Sequence, residues 1–307
     1  MKQIMVVAGP TASGKTGLAI RLAKQYGGEV ISADSIQIYK ELNIASAKPT
    51  AEEMEGVPHH LLDFVMPFDT FSVADYVKRA KECINEIHAR GKLPIIAGGT
   101  GLYISSLVDN IQFAEETPDA SVRERLWTQV EQEGIEPVYA RLQEIDPEAA
   151  AAIHPNNTKR VIRALEIFET TGITMTEQNK RSREIPSPYD AFMILLSPPR
   201  DLLYQRIDLR VDQMVEQGLF TEAAHLREMG LTKEMQSMQG IGYKEVFDYF
   251  DGLCTKEECI EAIKQATRHY AKRQLTWFRR DSRYHVLDPF DTNAEKTLLE
   301  EFVWKKD

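Results

Sequence analysis

Residues 9–16 read Gly9-Pro10-Thr11-Ala12-Ser13-Gly14-Lys15-Thr16, which fits the pattern G-x-x-x-x-G-K-[ST]. An apolar run at 4–8 precedes this octapeptide, and residues 17–23 follow it with the apolar spacing of a helix. Between a strand and a helix, the pattern predicts a phosphate-binding loop, because backbone N–H groups at a helix N-terminus converge on anionic oxygens. Lys15 adds a positive charge, and the Thr16 hydroxyl is placed to bind Mg²⁺. The octapeptide therefore predicts an α/β core that holds phosphate, without identifying the ligand.

Composition sets broad limits on the class of protein. The chain has 307 residues, of which 43% are hydrophobic and 27% charged, enough to build one large or two modest domains. Three cysteines without metal-binding spacing predict free thiols and a cytoplasmic location. We expect no signal peptide and no membrane partner, because no apolar stretch is long enough to span a bilayer. The net charge of −10 argues against a uniformly basic surface but allows a local basic patch.

Two further predicted strands end in polar residues. The strand at 29–33 is followed by Asp34-Ser35-Ile36-Gln37, and the strand at 93–97 by Gly98-Gly99-Thr100-Gly101. The carboxyl ends of parallel strands share one edge of a sheet, so both segments should face the phosphate-binding loop. Asp34 allows two interpretations, a turn or capping residue and a base or metal partner beside the anion. The glycines fit a tight turn and a close approach to a ligand equally well.

The middle of the chain is predicted to be a helical insertion. Composition changes at 115–118, and helices are predicted at 121–133, 136–144, 147–153 and 157–171. The predicted organisation is therefore a core at 1–114, a helical insertion at 115–188 and a second core segment at 189–307. Basic residues at 123 and 159–163 fit either a solvated face or a surface for a polyanion.

The second core segment carries three features. After a strand at 191–197, a long helix presents Arg206 and Arg210, which either close over phosphates or face solvent. A glycine-punctuated loop at 237–244 is predicted to line a cleft. Residues 267–283 combine six Lys or Arg residues with Tyr, Trp and Phe. This combination favours nucleic acid binding, although an amphipathic helix would also bury some of the aromatic rings.

Six motifs occur in one order along the chain: GPTASGKT at 9–16, DSIQIY at 34–39, GGTGLY at 98–103, KRVIRALE at 159–166, GIGYKE at 240–245 and KRQLTWFRR at 272–280. Together they resemble the bacterial tRNA dimethylallyltransferases of the IPP transferase family. That family transfers a dimethylallyl group from dimethylallyl diphosphate to N6 of the adenosine just 3′ of the anticodon. The resemblance implies an α/β fold, a P-loop NTPase-like parallel sheet core flanked by helices, with an all-helical insertion domain. Eukaryotic relatives carry a C-terminal zinc finger that this sequence lacks, which implies the bacterial form.

The resemblance also implies a role for each motif. Residues 9–16 would grip the diphosphate, with Mg²⁺ on Thr16, instead of hydrolysing a nucleotide. Asp34 would be the general base, Thr100 would lie near the reacting centre, and Lys15 and Arg210 would neutralise the leaving pyrophosphate. The implied tRNA contacts are Asp34, Ser35, Ile36, Gln37, Thr100, Arg123, Lys159, Arg160, Val161, Ile162, Arg163, Gln239, Gly240, Ile241, Gly242, Tyr243, Lys244, Lys272, Arg273, Gln274, Trp277, Phe278 and Arg279. Ser35 and Gln37 are expected to read the flipped adenine, and the chain is expected to act as a monomer.

Other functions compete with this interpretation. A nucleotide or small-metabolite kinase would turn over ATP without RNA and would give no role to the segment around Trp277. A switch GTPase would need the guanine-reading pattern N-K-x-D, which is absent because Asn179-Lys180 is followed by Arg181-Ser182. Prenylation of a free adenylate, as in the related cytokinin enzymes, differs only in the acceptor.

Overall fold

The computed structural model describes residues 1–113 and 120–305. The chain divides into two compact units, one formed by Met1–Val108 with Pro188–Asp307 and the other by Asp109–Ser187. The predicted boundary between residues 114 and 115 lies outside the described residues.

A six-stranded parallel sheet forms the centre of the first unit. Its strands are β1 (Lys2–Ala8), β2 (Glu29–Ser32), β3 (His59–His60), β4 (Pro94–Gly98), β5 (Tyr189–Leu196) and β6 (Tyr284–Leu287), in the order β3-β2-β4-β1-β5-β6. The predicted α/β class is therefore confirmed. Strand β3 lies in a segment predicted to be loop, because two residues are too short to show an alternating pattern.

Thirteen α-helices are present in the described part of the chain. In chain order they are α1 (Lys15–Tyr26), α2 (Val73–Ala89), α3 (Gly101–Val108), α4 (Ala120–Glu133), α5 (Glu136–Ile145), α6 (Pro147–Ala152), α7 (Thr158–Thr171), α8 (Met175–Arg181), α9 (Arg200–Glu216), α10 (Leu219–Glu228), α11 (Tyr243–Phe250), α12 (Lys256–Phe278) and α13 (Thr292–Glu300). None of these helices has both the length and the apolar character needed to cross a bilayer.

Helices cover the sheet, and the apolar spacing in the sequence predicts which face of each helix is buried. Helix α1 buries Leu18 and Leu22 against Met5 and Ile95 of the central strands. Each such side chain contributes about 1.5–3 kcal/mol when it leaves water. Because α1 begins directly after the phosphate-binding loop, this packing fixes the loop against the end of β1.

Helix α12 is the longest helix and begins with a capping box. The Thr255 hydroxyl accepts a hydrogen bond from the Glu258 N–H (3.2 Å), and the Glu258 carboxylate accepts one from the Thr255 N–H (2.8 Å). Its buried residues, Cys259, Ile263, Ala271, Gln274 and Phe278, recur at helical spacing. Gln274 is the polar member of this buried row.

The second unit is helical, as predicted, and contains helices α4 to α8. Its core includes Leu126, Val138, Leu142 and Leu165. Helix α7 begins after Asn157, as predicted, and ends at Gly172 with a φ of 72°, a left-handed conformation that glycine adopts without strain.

Candidate active site

A cavity of about 440 Å³ opens at the carboxyl ends of β1, β2 and β4. It brings together segments that are far apart in the sequence, and its walls come from seven of them. These residues are Thr11, Lys15 and Thr16; Asp34, Ser35, Ile36 and Gln37; Ala45, Ser46 and Ala47; Ala97 and Gly98; Arg210, Val211 and Met214; and Gln236, Gln239, Gly240, Ile241 and Lys244, together with Ile263, Thr267, Tyr270, Arg273 and Gln274 of α12. The loop at 237–244 therefore lines a cleft, as predicted.

The phosphate-binding loop is held in shape by its own backbone. The Ser13 hydroxyl and the Lys15 ammonium both donate to the Pro10 carbonyl, at 2.8 and 2.6 Å. Gly14 has a φ of 92° and caps α1 without a side-chain hydrogen bond. The N–H groups of the first turn of α1 are therefore available for an anion, and the helix dipole favours negative charge there.

Lys15 and Arg210 are the two cavity cations whose pKa values the surroundings lower. Burial of the Lys15 ammonium and, to a smaller extent, the nearby Arg210 guanidinium lower its pKa to about 7, although Asp34 opposes the shift. Burial also lowers the pKa of Arg210, while Glu53 and Asp34 counteract the effect. A bound anion would stabilise both charged forms, so the electrostatics fit a site for a phosphorylated ligand.

Asp34 has the turn role considered from the sequence, and its carboxylate also lies in the cavity wall. Its Oδ1 accepts hydrogen bonds from the N–H groups of Ile36 (2.9 Å) and Gln37 (3.2 Å), which form the turn after β2. The carboxylate also lines the same cavity as Lys15 and Arg210. Because Oδ1 carries the turn, Oδ2 is the oxygen that can take up a proton.

Thr100 ties the end of β4 to the Asp34 turn. Its hydroxyl oxygen accepts a hydrogen bond from the Ser35 N–H at 3.0 Å, and its own N–H donates to the Ala33 carbonyl at 3.1 Å. The two strand ends approach so closely that a Cβ on Gly98 would lie 2.1 Å from the Ala33 oxygen. The glycines at this strand end therefore serve a close backbone approach.

The geometry corrects the role predicted for Gln37. Its amide nitrogen donates to the carbonyls of Ser46 (3.1 Å) and Ala47 (3.0 Å). Bidentate pairing with N6 and N7 of an adenine needs the amide as donor and acceptor at once. Only the Gln37 carbonyl oxygen remains for a base in this arrangement, because the loop at 45–47 uses both N–H groups.

Helix α9 carries two arginines, of which Arg206 bonds to the phosphate-binding loop and Arg210 lines the cavity. The Arg206 Nε donates to the Ala12 carbonyl at 2.9 Å, and its guanidinium lies 5.4 Å from the centre of the Phe290 ring. Ala12 has a φ of 61°, an uncommon conformation for a residue with a side chain, and the Arg206 hydrogen bond stabilises it. Arg206 therefore supports the loop backbone, and Arg210 lines the cavity.

Sequence reasoning did not single out Tyr270 as a site residue. Burial raises the pKa of its hydroxyl to about 12, and nearby Asp34 adds to that shift, while hydrogen bonding to the Thr100 and Gln274 side chains opposes it. Tyr270 is thus a neutral hydroxyl beside the residues of the proposed chemistry. Its spacing of four residues from Gln274 on α12 places both on one helix face, and that spacing could have identified it.

Helix α12 presents a basic outer face. His269, Lys272, Arg273, Thr276, Trp277 and Arg280 line a shallow groove along it. The Trp277 side chain is 37% exposed, so its ring is partly available for stacking on a base. Arg279 is exposed and donates to the Ser197 hydroxyl at 3.0 Å. This groove has the cations and the aromatic face that single-stranded RNA contacts require.

Several residues for which a tRNA contact was predicted are buried. They are Val161, Ile162, Gly240, Gly242, Tyr243, Gln274 and Phe278. The side chains of Tyr243 and Phe278 pack in the core, where they are 0% and 1% exposed. Direct side-chain contact with tRNA is therefore not supported for these residues, because an amphipathic helix buries one face of any motif that it carries.

The second unit holds the remaining predicted contacts. Lys159 and Arg160 are exposed at the start of α7. Arg123 and Arg163 both pair with the buried Glu166 carboxylate, at 2.9 and 3.1 Å. That carboxylate fixes the two guanidinium groups while their side chains stay 49% and 43% exposed.

Comparisons with known proteins agree with this geometry. The family model described as IPP transferase matches residues 37–281. The tRNA dimethylallyltransferase of Halalkalibacterium halodurans is 49% identical over 299 residues, covering 97% of this chain and 95% of the relative. The Bacillus subtilis tRNA dimethylallyltransferase is 49% identical over 297 residues, covering 95% of this chain and 94% of the relative.

Solved structures extend the comparison to the fold. The full-length tRNA isopentenylpyrophosphate transferase of Bacillus halodurans superposes with a TM-score of 0.72 at 46% identity, covering 97% of this chain and 95% of that one. A eukaryotic dimethylallyltransferase, described as acting on tRNA, superposes with a TM-score of 0.82 at 32% identity, covering 97% and 78% of the two chains. The P-loop NTPase-like core predicted from the octapeptide is confirmed, and the chain belongs to the IPP transferase family.

Proposed function

We propose that this protein is a tRNA dimethylallyltransferase. It would transfer a dimethylallyl group from dimethylallyl diphosphate to N6 of the adenosine 3′ of the anticodon, position 37, in tRNAs that read codons starting with U. The observation that carries the proposal is a single cavity that joins a diphosphate cradle to the carboxylate of Asp34, in a chain of this family. A small-metabolite kinase could also place a carboxylate beside its phosphate cradle, so membership of the IPP transferase family is what favours prenyl transfer.

Each group of cavity residues has one role in the proposed reaction. The adenine N6 attacks C1 of the allyl group, the C1–O bond breaks, and the electron pair leaves with pyrophosphate. Asp34 takes the N6 proton on Oδ2, because an exocyclic amine is a weak nucleophile until that proton is removed. Lys15, Arg210 and the N–H groups of the loop neutralise the charge that grows on the leaving group.

Mg²⁺ is part of the proposal. The Thr16 hydroxyl lines the cavity one residue after Lys15, and hydroxyl and diphosphate oxygens are the hard ligands that Mg²⁺ prefers. In the described ranges, no group of three or more His, Cys, Asp or Glu side chains could hold a metal ion. Thr16 and the diphosphate would hold the ion, which would supply further charge neutralisation to pyrophosphate.

The tRNA anticodon stem-loop is the proposed acceptor. The basic groove of α12 borders the cavity, since Arg273 lines both. Replacing Lys272 and Arg273 by alanine should weaken tRNA binding and reduce the slope of log K against log salt by about one per lost phosphate contact. Lys78→Ala, an exposed lysine of α2, is the matched control and should leave the slope unchanged.

Location and assembly follow from the same proposal. Because tRNA is the acceptor, the protein would act in the cytoplasm. We propose that a monomer suffices for activity, because the phosphate-binding loop, Asp34 and Arg210 all belong to the same chain.

The test is prenylation itself. The protein is incubated with dimethylallyl diphosphate, Mg²⁺ and a tRNA that reads codons starting with U, and the nucleosides are analysed by mass spectrometry. We expect N6-dimethylallyladenosine at position 37. A parallel reaction with ATP and a panel of small-molecule acceptors, without RNA, examines the kinase alternative. ATP turnover there, with unmodified tRNA in the first reaction, would refute the proposal.

A further inference from the structure

Helix α12 touches the candidate site through a buried amide. Gln274 is 6% exposed, and both ends of its amide are occupied by backbone groups. Its Nε2 donates to the Gly99 carbonyl at 2.9 Å, and its Oε1 accepts from the Thr11 N–H at 3.0 Å. One side chain therefore links the phosphate-binding loop after β1 to the loop after β4.

The packing around this amide leaves little freedom. A Cβ on Gly99 would lie 2.2 Å from the Gln274 nitrogen, and a Cβ on Gly101 would lie 2.3 Å from Cδ1 of Trp277. Two consecutive turns of α12 thus rest directly on the backbone of the 99–101 loop. Any side chain there would push the helix away, so the glycines and the buried amide form one contact.

The Gly99–Thr100 loop also links Gln274 to the turn that holds Asp34, the proposed base. Thr100 follows Gly99, and its hydroxyl accepts the hydrogen bond of the Ser35 N–H, next to Asp34. Hydrogen bonds therefore run from the Thr11 N–H through Gln274 and Thr100 to the turn that holds Asp34.

We propose that Gln274 is a positioning residue that fixes the diphosphate cradle relative to the carboxylate of Asp34. It does so through its hydrogen bonds to Thr11 on one side and to the Gly99–Thr100 loop on the other. Transfer between two held groups is sensitive to such placement, since a displacement of about 1 Å can cost about 10²-fold in rate. The inference deepens the proposed prenyl transfer and rests on it. It differs from the tRNA contact that the sequence motif implies for this residue.

The first variant is Gln274→Met, which keeps the length of the side chain and removes both hydrogen bonds. We expect kcat at saturating tRNA to fall by about 10–100-fold, with the tRNA Kd unchanged within twofold. Gln265→Met is the matched control, because Gln265 is exposed on the same helix, and it should change neither quantity. An unchanged kcat with a raised tRNA Kd would overturn the proposal in favour of a tRNA contact.

The second variant, Gln274→Glu, provides a readout that loss of packing would not produce. A protonated carboxyl has one O–H donor and one acceptor, so it can replace both hydrogen bonds, whereas a carboxylate cannot donate to Gly99. Burial favours the protonated form. The kcat of this variant, divided by that of the parent at each pH, should therefore rise as the pH falls from 8 to 6. A ratio that stays flat over this range would overturn the proposal.

Binding of inorganic pyrophosphate separates this inference from the proposed function. By calorimetry without tRNA, Gln274→Met should bind pyrophosphate about 10-fold more weakly than the parent and Gln265→Met. If the parent does not prenylate tRNA, the proposed function fails, while this measurement still decides whether Gln274 positions the cradle. Equal affinities in all three proteins would refute that role.

Discussion

The lowered pKa of Lys15 predicts that diphosphate affinity depends on pH. The pKa of the ammonium is about 7 in the free protein, because the group is buried beside Arg210. A diphosphate ester stabilises the charged form, so binding above pH 7 requires the uptake of a proton. Affinity then follows the fraction of protein in which Lys15 is protonated, which falls about tenfold per pH unit above the pKa. Between pH 6 and pH 9 the affinity should therefore decrease about 100-fold.

Calorimetry with dimethylallyl diphosphate, without tRNA, measures this dependence. The terminal phosphate ionises near pH 6, so the charge of the ligand is nearly constant between pH 7 and 9. At constant ionic strength and magnesium concentration, we expect the Kd to rise steadily over that range. Titrations in buffers of different ionisation enthalpy should show uptake of about half a proton at pH 7 and nearly one at pH 9.

Two variants serve as controls for Lys15. Lys15→Arg carries a guanidinium that stays charged throughout, so its Kd should not change between pH 7 and 9. Lys15→Met carries no charge and should bind weakly at every pH. If the parent protein binds equally well at pH 6.5 and pH 9, or takes up no proton, the electrostatic account of this cavity is wrong.

Three further predictions concern other parts of the first unit. Asp34→Asn keeps a hydrogen-bond acceptor for the turn but cannot take up a proton. Its kcat should therefore fall by about 10²–10⁴-fold, with little change in KM for dimethylallyl diphosphate. An unchanged kcat would show that Asp34 is not the base. Burial alone would raise the pKa of Glu29, but hydrogen bonds from the side chains of Arg90, Lys92 and His60 lower it to about 2 from an ordinary 4.5. The stabilisation by the Glu29 carboxylate is present above pH 4.5 and is lost as the pH falls toward 2. Glu29→Gln should therefore lower the free energy of unfolding in urea by about 2 kcal/mol at pH 7, a value that allows for the partly exposed partners. The difference from the parent protein should vanish near pH 2. Gly101→Ala should lower the free energy of unfolding by about 1–3 kcal/mol, because the new methyl group would overlap Trp277. Adding Trp277→Leu to this variant should recover most of that loss. If the effects of the two substitutions are additive in a double-mutant cycle, the two residues are not in direct contact.

The phosphate-binding loop, the class of the fold and the helical insertion follow from the sequence alone. Each depends on local chemistry: the loop on glycines and Lys15, the helices on apolar spacing and caps, and the buried parallel strands on continuous apolar runs. The turn role of Asp34 could also be read from its sequence, because an Asp side chain bonds the backbone two or three residues ahead.

The tertiary structure decided which side of each motif faces outward and which groups share the cavity. Gln274 lies between Arg273 and Leu275 in a basic motif, yet helix geometry turns it inward onto Thr11 and Gly99, far away in the sequence. The lowered pKa of Lys15 depends on Arg210, which reaches the cavity only when α9 packs on the phosphate-binding loop. Such interactions join residues between 175 and 263 positions apart, so no local pattern of residues encodes them.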